Sequence, residues 1–240
     1  VGISLKTSEG SIVYTGDFKF DQTAIPMYQT DFARLAEIGQ SGVLALLSTS
    51  SNAENPATVA SELQIADEVY DNIRYWEGRI IVACVASNLQ RLQQVLDAAY
   101  RSGRKVVLTG QDFGRIIKTT MKLGKLTLPD ENLLVTLKEM KNYADEEILI
   151  LETGQMGEPI KSLQKMASGS HRAVRVKDGD LAYIATTPTI AMETVMAKTE
   201  DIIYRAGRTV KTISDNYRVS GHAGPADLQF MMNFMKPKYM

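Results

Sequence analysis

Arg79-Ile-Ile-Val-Ala-Cys-Val-Ala-Ser-Asn-Leu-Gln-Arg-Leu-Gln-Gln-Val-Leu-Asp-Ala-Ala-Tyr-Arg-Ser-Gly-Arg-Lys-Val-Val-Leu108 holds a strand, a helix and a second strand in one run. A strand reads over Arg79–Ala86, and the unbroken apolar Ile80–Val85 within it suits burial on both faces. Leu89, Leu92, Val95, Leu96 and Ala99 then recur at helical spacing, and Gly103 ends that helix before Lys105–Leu108 resumes an extended pattern. Two strands joined through a helix run parallel, since a tight turn joins only antiparallel neighbours. The stretch therefore predicts a parallel sheet covered by helices, an α/β fold.

The same rhythm extends outward. Ser61-Glu-Leu-Gln64 reads as a capping box opening a helix with Ile65, Val69, Ile73 and Trp76 inward and Gly78 at its end. Helices are expected over Asp112–Leu123, Pro159–Ala167 and, for the most part, Ile190–Ala206. Strands are expected over Ile148–Leu151, Leu181–Ala185 and Thr209–Ile213. The N-terminal part differs. Ile3–Thr7 and Ser11–Thr15 read as a hairpin around Ser8-Glu9-Gly10, delivering Gly16-Asp17 at its end. Asp31–Ile38 reads as a helix stopped by Gly39, and Gly42–Leu47 as a fully buried strand. At the other end, Ser220-Gly-His-Ala223 leads into a helix from near Pro225, with Leu228, Met231, Met232 and Met235 on one face and Pro237 as its stop.

Composition is that of an ordinary globular protein: 240 residues, 44% hydrophobic and 23% charged. A net charge of −1 supplies no global basic field, so any nucleic-acid contact must be a local patch. No apolar run approaches the ~20 residues that span a bilayer. The lack of a signal-peptide pattern places the expectation in the cytoplasm. The lone Cys84 lies inside the Ile80–Val85 run, which argues against disulfide or thiol chemistry.

The spacing leaves several candidates open. Ser220, Gly221 and His222 beside a helix N-terminus suit an anion, but His222 also reads as a surface histidine in a turn. Ser87 and Asn88 suit phosphate contact, or simply cap the following helix. Gly154-Gln-Met-Gly-Glu-Pro159 is either a phosphate cradle or a glycine-rich turn. His171 reads as a surface residue. Gly110–Gly114 lacks the G-x-G-x-x-G spacing, and Tyr70, Tyr75 and Trp76 read as packing. The blocks at Ser48, Ser87, Thr153 and Ser220 each follow an apparent strand, so they could converge where such sheets bind ligands.

Five blocks resemble, in order, those of the ribonuclease J branch of the metallo-β-lactamase/β-CASP nucleases. They are Thr15-Gly-Asp-Phe-Lys-Phe-Asp21, Ser48-Thr-Ser-Ser-Asn-Ala-Glu54, Ala86-Ser-Asn-Leu-Gln-Arg-Leu-Gln-Gln94, Thr153-Gly-Gln-Met-Gly-Glu-Pro159 and Ser220-Gly-His-Ala with its Met-rich helix and Lys-Pro-Lys-Tyr239. The resemblance implies a β-CASP domain with a parallel, helix-covered sheet over residues 61–199. Parts of a metallo-β-lactamase αββα domain would flank it at 1–60 and 200–240. It implies RNA as substrate, hydrolysed internally or from the 5′ end in RNA processing and decay by a water activated on two divalent metal ions, zinc or manganese. Asp17 would be a metal ligand. His222 would touch phosphate and assist proton transfer, with Ser87, Asn88, Arg218, Ser220 and Gly221 binding RNA. Because the chain opens on Val1 and closes just after Lys-Pro-Lys-Tyr, it reads as a piece of a longer protein, inactive and without a stably bound metal by itself.

The departures matter equally. Thr49 stands where active relatives have aspartate, Gln90 and Arg218 where they have histidine, and Ile190-Ala-Met-Glu193 where they have Pro-Gly-Asn-Glu. The pattern is most like the second, weakly active paralogue of some bacteria, which works in a homo- or hetero-oligomer with its active sibling. Arginine still grips phosphate through its fork of donors. Arg218→Ala is therefore expected to weaken binding of 5′-monophosphorylated RNA more than of 5′-hydroxyl RNA; equal losses in a titration would take Arg218 out of any 5′-phosphate pocket.

Overall fold

The computed structural model describes residues 2–24, 29–54, 60–110, 113–154, 158–186, 190–213 and 221–240. The chain divides into unit 1, Val1–Leu63 with Asp215–Met240, and unit 2, Gln64–Ser214. Among the described residues no helix is long and apolar enough to cross a membrane.

Unit 1 is built on a three-stranded sheet of β1 (Ile3–Thr7), β2 (Gly10–Tyr14) and β3 (Val43–Leu47). β1 pairs antiparallel with β2 and β2 parallel with β3. Gly10, at φ 123, makes the expected hairpin possible. Helices α1 (Phe32–Gln40) and α7 (Pro225–Met235) carry the side chains that pack on Val13, Val43 and Leu46, with Met231 and Met235 at the centre. β3 is not the fully buried strand expected: Leu47 is 55% exposed. Its outer edge pairs with the chain's end, where Tyr239 N–H donates to Leu44 O at 2.9 Å and Leu46 N–H to Tyr239 O at 2.9 Å. Gly39 does not stop α1 either. It lies inside the helix, where a Cβ would sit 2.0 Å from Phe234 O, so its role is the close approach of α1 to α7. Met232, expected inside, is 39% exposed; Phe20, Phe32, Phe230 and Phe234 form the ring cluster instead, with Phe230 and Phe234 centroids 4.7 Å apart.

Unit 2 is a six-stranded parallel sheet in the order β6-β5-β7-β4-β8-β9. The strands are β4 (Ile80–Val85), β5 (Lys105–Thr109), the short edge β6 (Leu134–Val135), β7 (Ile148–Gly154), β8 (Leu181–Ile184) and β9 (Thr209–Thr212). Helices α2 (Glu62–Arg74), α3 (Leu89–Arg101), α4 (Phe113–Lys122), α5 (Glu158–Ala167) and α6 (Ile190–Arg205) join them. Ile81, Ala83, Ile148, Ile150, Ala182 and Ile184 form one core with Ile160, Leu163 and Met166 of α5 and Ile203 of α6. β4 and β7, at the centre, are wholly buried, as the apolar runs Ile80–Val85 and Ile148–Leu151 require; β7 also buries Glu152 and Thr153 at its end. Tyr75, expected to pack, is 71% exposed just past the end of α2. Burial pushes the Cys84 thiol up to about 12, so it stays protonated and inert.

The chain moves from β4 in one direction across the sheet to β5. It returns to insert β7 beside β4, and then moves the other way to β8 and β9. The carboxyl ends of β4 and β7 therefore form the topological switch point, where open parallel sheets leave a crevice.

Candidate functional site

In unit 1 the geometry of Asp17 follows from its block. After β2, Thr15 N–H still pairs with Leu47 O at 3.0 Å. Gly16, at φ 62, then turns the chain and leaves Asp17 exposed at the strand end. The next four residues alternate in role, as an extended segment does. Phe18 and Phe20 enter the core. Lys19 Nζ donates to Glu62 Oε1 at 2.8 Å and lies 3.6 Å from Asp21 Oδ2. Asp21 Oδ2 accepts the Glu62 N–H at 2.7 Å, and Thr23 Oγ1 the Leu63 N–H at 3.3 Å, so this segment satisfies first-turn donors of α2.

Burial by itself would raise the Asp21 carboxyl, but hydrogen bonds from Thr23 and Glu62 N–H and the Lys19 charge outweigh it and hold it below its ordinary value. A depressed folded-state value contributes stability above the unfolded value, about 3.9, and loses it as pH falls through the folded one. Asp21→Asn is therefore expected to be less stable near neutrality but to show a flatter stability profile between about pH 5 and pH 2. Urea midpoints across that range check this, and an unchanged acid slope would contradict it.

His222 lies just before the N-cap of α7, Gly224, whose N–H donates to Asp227 Oδ2 at 3.2 Å. That carboxylate already occupies part of the helix end expected to welcome an anion. His222 Nδ1 lies 3.4 Å from Asp17 Oδ1, an ion pair when the ring is protonated. Asn52 Nδ2 reaches His222 O at 3.5 Å. The first, second and last blocks thus meet. Beside them opens a cleft of about 450 Å³ lined by Tyr14, Gly16, Asp17, Leu47, Ser48 and Thr49, among others. Gly221 is exposed next to His222; Arg218 and Ser220 lie outside the described residues.

In unit 2 the Ser87 and Thr153 blocks meet at the switch point, where Ala86 N–H donates to Gly154 O at 2.9 Å. Thr153 and Gly154 belong to β7 itself and do not follow it, while residues 155–157 of that block lie outside the described residues. Ser87 and Asn88 are exposed at the end of β4. Asn88 Oδ1 accepts Arg91 N–H at 3.0 Å, the capping role its position allowed. His171 Nδ1 accepts the Val174 N–H at 3.0 Å, a local turn contact.

One residue escaped the sequence reading. Arg91 is fully buried, its Nε donating to Gln94 Oε1 at 2.7 Å and Nη1 to Ala185 O at 3.1 Å. It fastens the start of α3 to the end of β8 beneath the exposed Ser87 and Asn88. The available signal was an arginine on the apolar face of α3, next to Leu92 and Val95.

Residues 77–202, more than half of the chain, match the family described as "Ribonuclease J, beta-CASP domain". The whole chain is 55% identical over 240 residues to "Ribonuclease J 2" of Streptococcus pyogenes serotype M3 and 41% identical over 240 residues to "Ribonuclease J2" of Bacillus subtilis. It is 38% identical over 239 residues to "Ribonuclease J 2" of Staphylococcus epidermidis. The chain spans 43% of the length of each of these curated relatives.

Proposed function

Since the chain belongs to the ribonuclease J family, we propose that it forms the β-CASP domain and flanking metallo-β-lactamase segments of an RNA-hydrolysing enzyme. In this reading unit 2 corresponds to the former and unit 1 to the latter. The observation that carries it is the 3.4 Å approach of Asp17 Oδ1 to His222 Nδ1, which joins two of the matched blocks from opposite ends of the chain beside an open cleft. His222 and Gly221 there face an RNA phosphate, with Arg218 and Ser220 completing the grip. Ser87 and Asn88 take a phosphate at the switch point of unit 2.

The family implies divalent metal ions, which would activate the attacking water. Asp17 and His222 offer two donors, and the described residues hold no group of three side chains able to ligate a metal, whereas catalytic zinc commonly takes three. The donor set of the described residues does not complete a centre. Within the site the carboxylate of Asp17 orients the His222 ring, and the ring can exchange a proton with a phosphate oxygen.

A second reading, an RNA-binding subunit without turnover that supports an active sibling, is favoured by Thr49. It lines the cleft beside Asp17 with a hydroxyl and adds no carboxylate. The experiment follows binding and cleavage of a 5′-monophosphorylated RNA by the full-length protein, alone and with an active sibling, at several salt concentrations. Metal-dependent cleavage alone supports the first reading. Binding without cleavage, with activity only beside the sibling, replaces it with the second. No RNA binding removes both.

A further inference from the structure

The outer face of α4 is a strongly charged surface of unit 2. Residues 113–129 carry Arg115, Lys118, Lys122 and Lys125 without a single carboxylate, the nearest in sequence being Asp112 and Asp130. α1, α2, α3, α5 and α6 all mix both signs. Arg115, Lys118 and Lys122 fall within an arc of about 60° and along a row of about 10 Å. All four cations are exposed, while Ile117 on the helix's inner side is buried.

Helix stability does not account for this row. Arg115 stands in the first turn, the end at which the helix dipole disfavours a cation. Arg115 with Lys118, and Lys118 with Lys122, are like charges at i,i+3 and i,i+4, each pair costing a few tenths of a kcal/mol. Only Lys122 gains from the dipole, at the C-terminal end. A local choice that opposes the element it sits in points to function. On a chain of net charge −1, an unbroken cationic row is complementary to a partner with regularly repeated negative charge. A row of about 10 Å is long enough to meet more than one phosphate of the same strand.

We propose that the outer face of α4 is an accessory RNA-binding row, gripping the phosphates of a single strand without reading its sequence. It rests on the ribonuclease reading above and adds to it a contact made by unit 2 itself. It also supplies the local patch that a nearly neutral chain requires for RNA.

The test is fluorescence anisotropy of a labelled 5′-hydroxyl oligouridylate titrated with the 240-residue chain in chelator, over a salt series. The triple variant Arg115→Ser, Lys118→Ser, Lys122→Ser is expected to bind at least about tenfold more weakly near 0.1 M salt. Its log–log salt slope should shrink by about 2, from ~0.7 for each lost contact to a single strand. A control triple, Arg34→Ser, Lys198→Ser, Arg205→Ser, removes the same charge from other exposed positions and should leave slope and affinity near the wild type. Thermal melts of both triples should match the wild type, which keeps misfolding apart from lost contacts. Unchanged binding by the α4 variant, or equal losses in both triples, overturns the row while the RNA reading stands. No binding by the wild-type chain overturns both.

Discussion

Asp180→Ala is expected to destabilise unit 2 by about 3–5 kcal/mol, the usual cost of stranding a buried charge. Asp180 is 1% exposed and receives two hydrogen bonds from Arg79, Nε at 3.0 Å and Nη2 at 2.6 Å. It also accepts the Lys177 N–H at 2.8 Å. The pair lies where β4 and β8 begin, and Arg79 Nη2 also holds Arg175 O at 2.8 Å, so one carboxylate fixes three chain segments. Removing it leaves the guanidinium out of water and unpaired, and one backbone donor without its acceptor. The Lys177–Asp145 bridge, at 2.6 Å, is even as short, but both side chains are about half exposed. Water screens that pair, so Asp145→Ala should cost under about 1 kcal/mol. Urea unfolding of the two variants side by side tests burial against distance as the deciding quantity. Equal losses, or a loss under ~1 kcal/mol for Asp180→Ala, would contradict the assignment.

What could be read from the sequence was whatever is written locally in period and punctuation. Ile80–Val85, the Leu92-Val95-Leu96 face and Gly103 place β4, α3 and β5 almost residue for residue, because each element's burial pattern lies within its own residues. Features set by a distant neighbour were misread. Gly39 looks like a helix stop until Phe234 O is found against it. The Gly42–Leu47 run looks buried, but Leu47 stands in the cleft wall. The Ser61–Gln64 pattern places the start of α2 in its own residues, yet Asp21 and Thr23, some forty residues earlier, bond its first turn. The candidate site shares this limit. Asp17 and His222 were legible as members of blocks, but their meeting depends on β2, β3 and α7 packing together, which no local pattern encodes. Arginine is rarely core, and the carbonyl that Arg91 meets here, that of Ala185, lies just past the end of β8, far away in sequence.

Gly110 follows the same logic and yields the second large effect. It follows β5 at φ 108, a conformation that L side chains rarely adopt, and a Cβ there would lie 1.9 Å from Thr153 O and 3.0 Å from Thr153 C. Thr153 belongs to the buried central strand β7 and pairs with Cys84 of β4, while the β5 ladder reaches its neighbour Glu152, so the atoms that would have to yield are backbone held in the sheet. Backbone strain costs about 1–3 kcal/mol, and overpacking about 1–3 kcal/mol more. Gly110→Ala is thus expected to lose about 3 kcal/mol or more, a fall in Tm of roughly 6–12 °C. Gly114, four residues on in the first turn of α4, has open space where its Cβ would go. Gly114→Ala should be neutral or gain up to ~1 kcal/mol, since alanine lowers the entropy of the unfolded chain and suits a helix. The pair thus separates two readings of a glycine-rich loop after a strand. If it served only chain flexibility, both alanines would cost little and about equally. If Gly110 exists to bring β5 against the Thr153 backbone at the switch-point edge, only the first is severe, and the block carrying Thr153 and Gly154 moves with it. Thermal melts that place Gly110→Ala within about 1 kcal/mol of Gly114→Ala would remove Gly110 from that role.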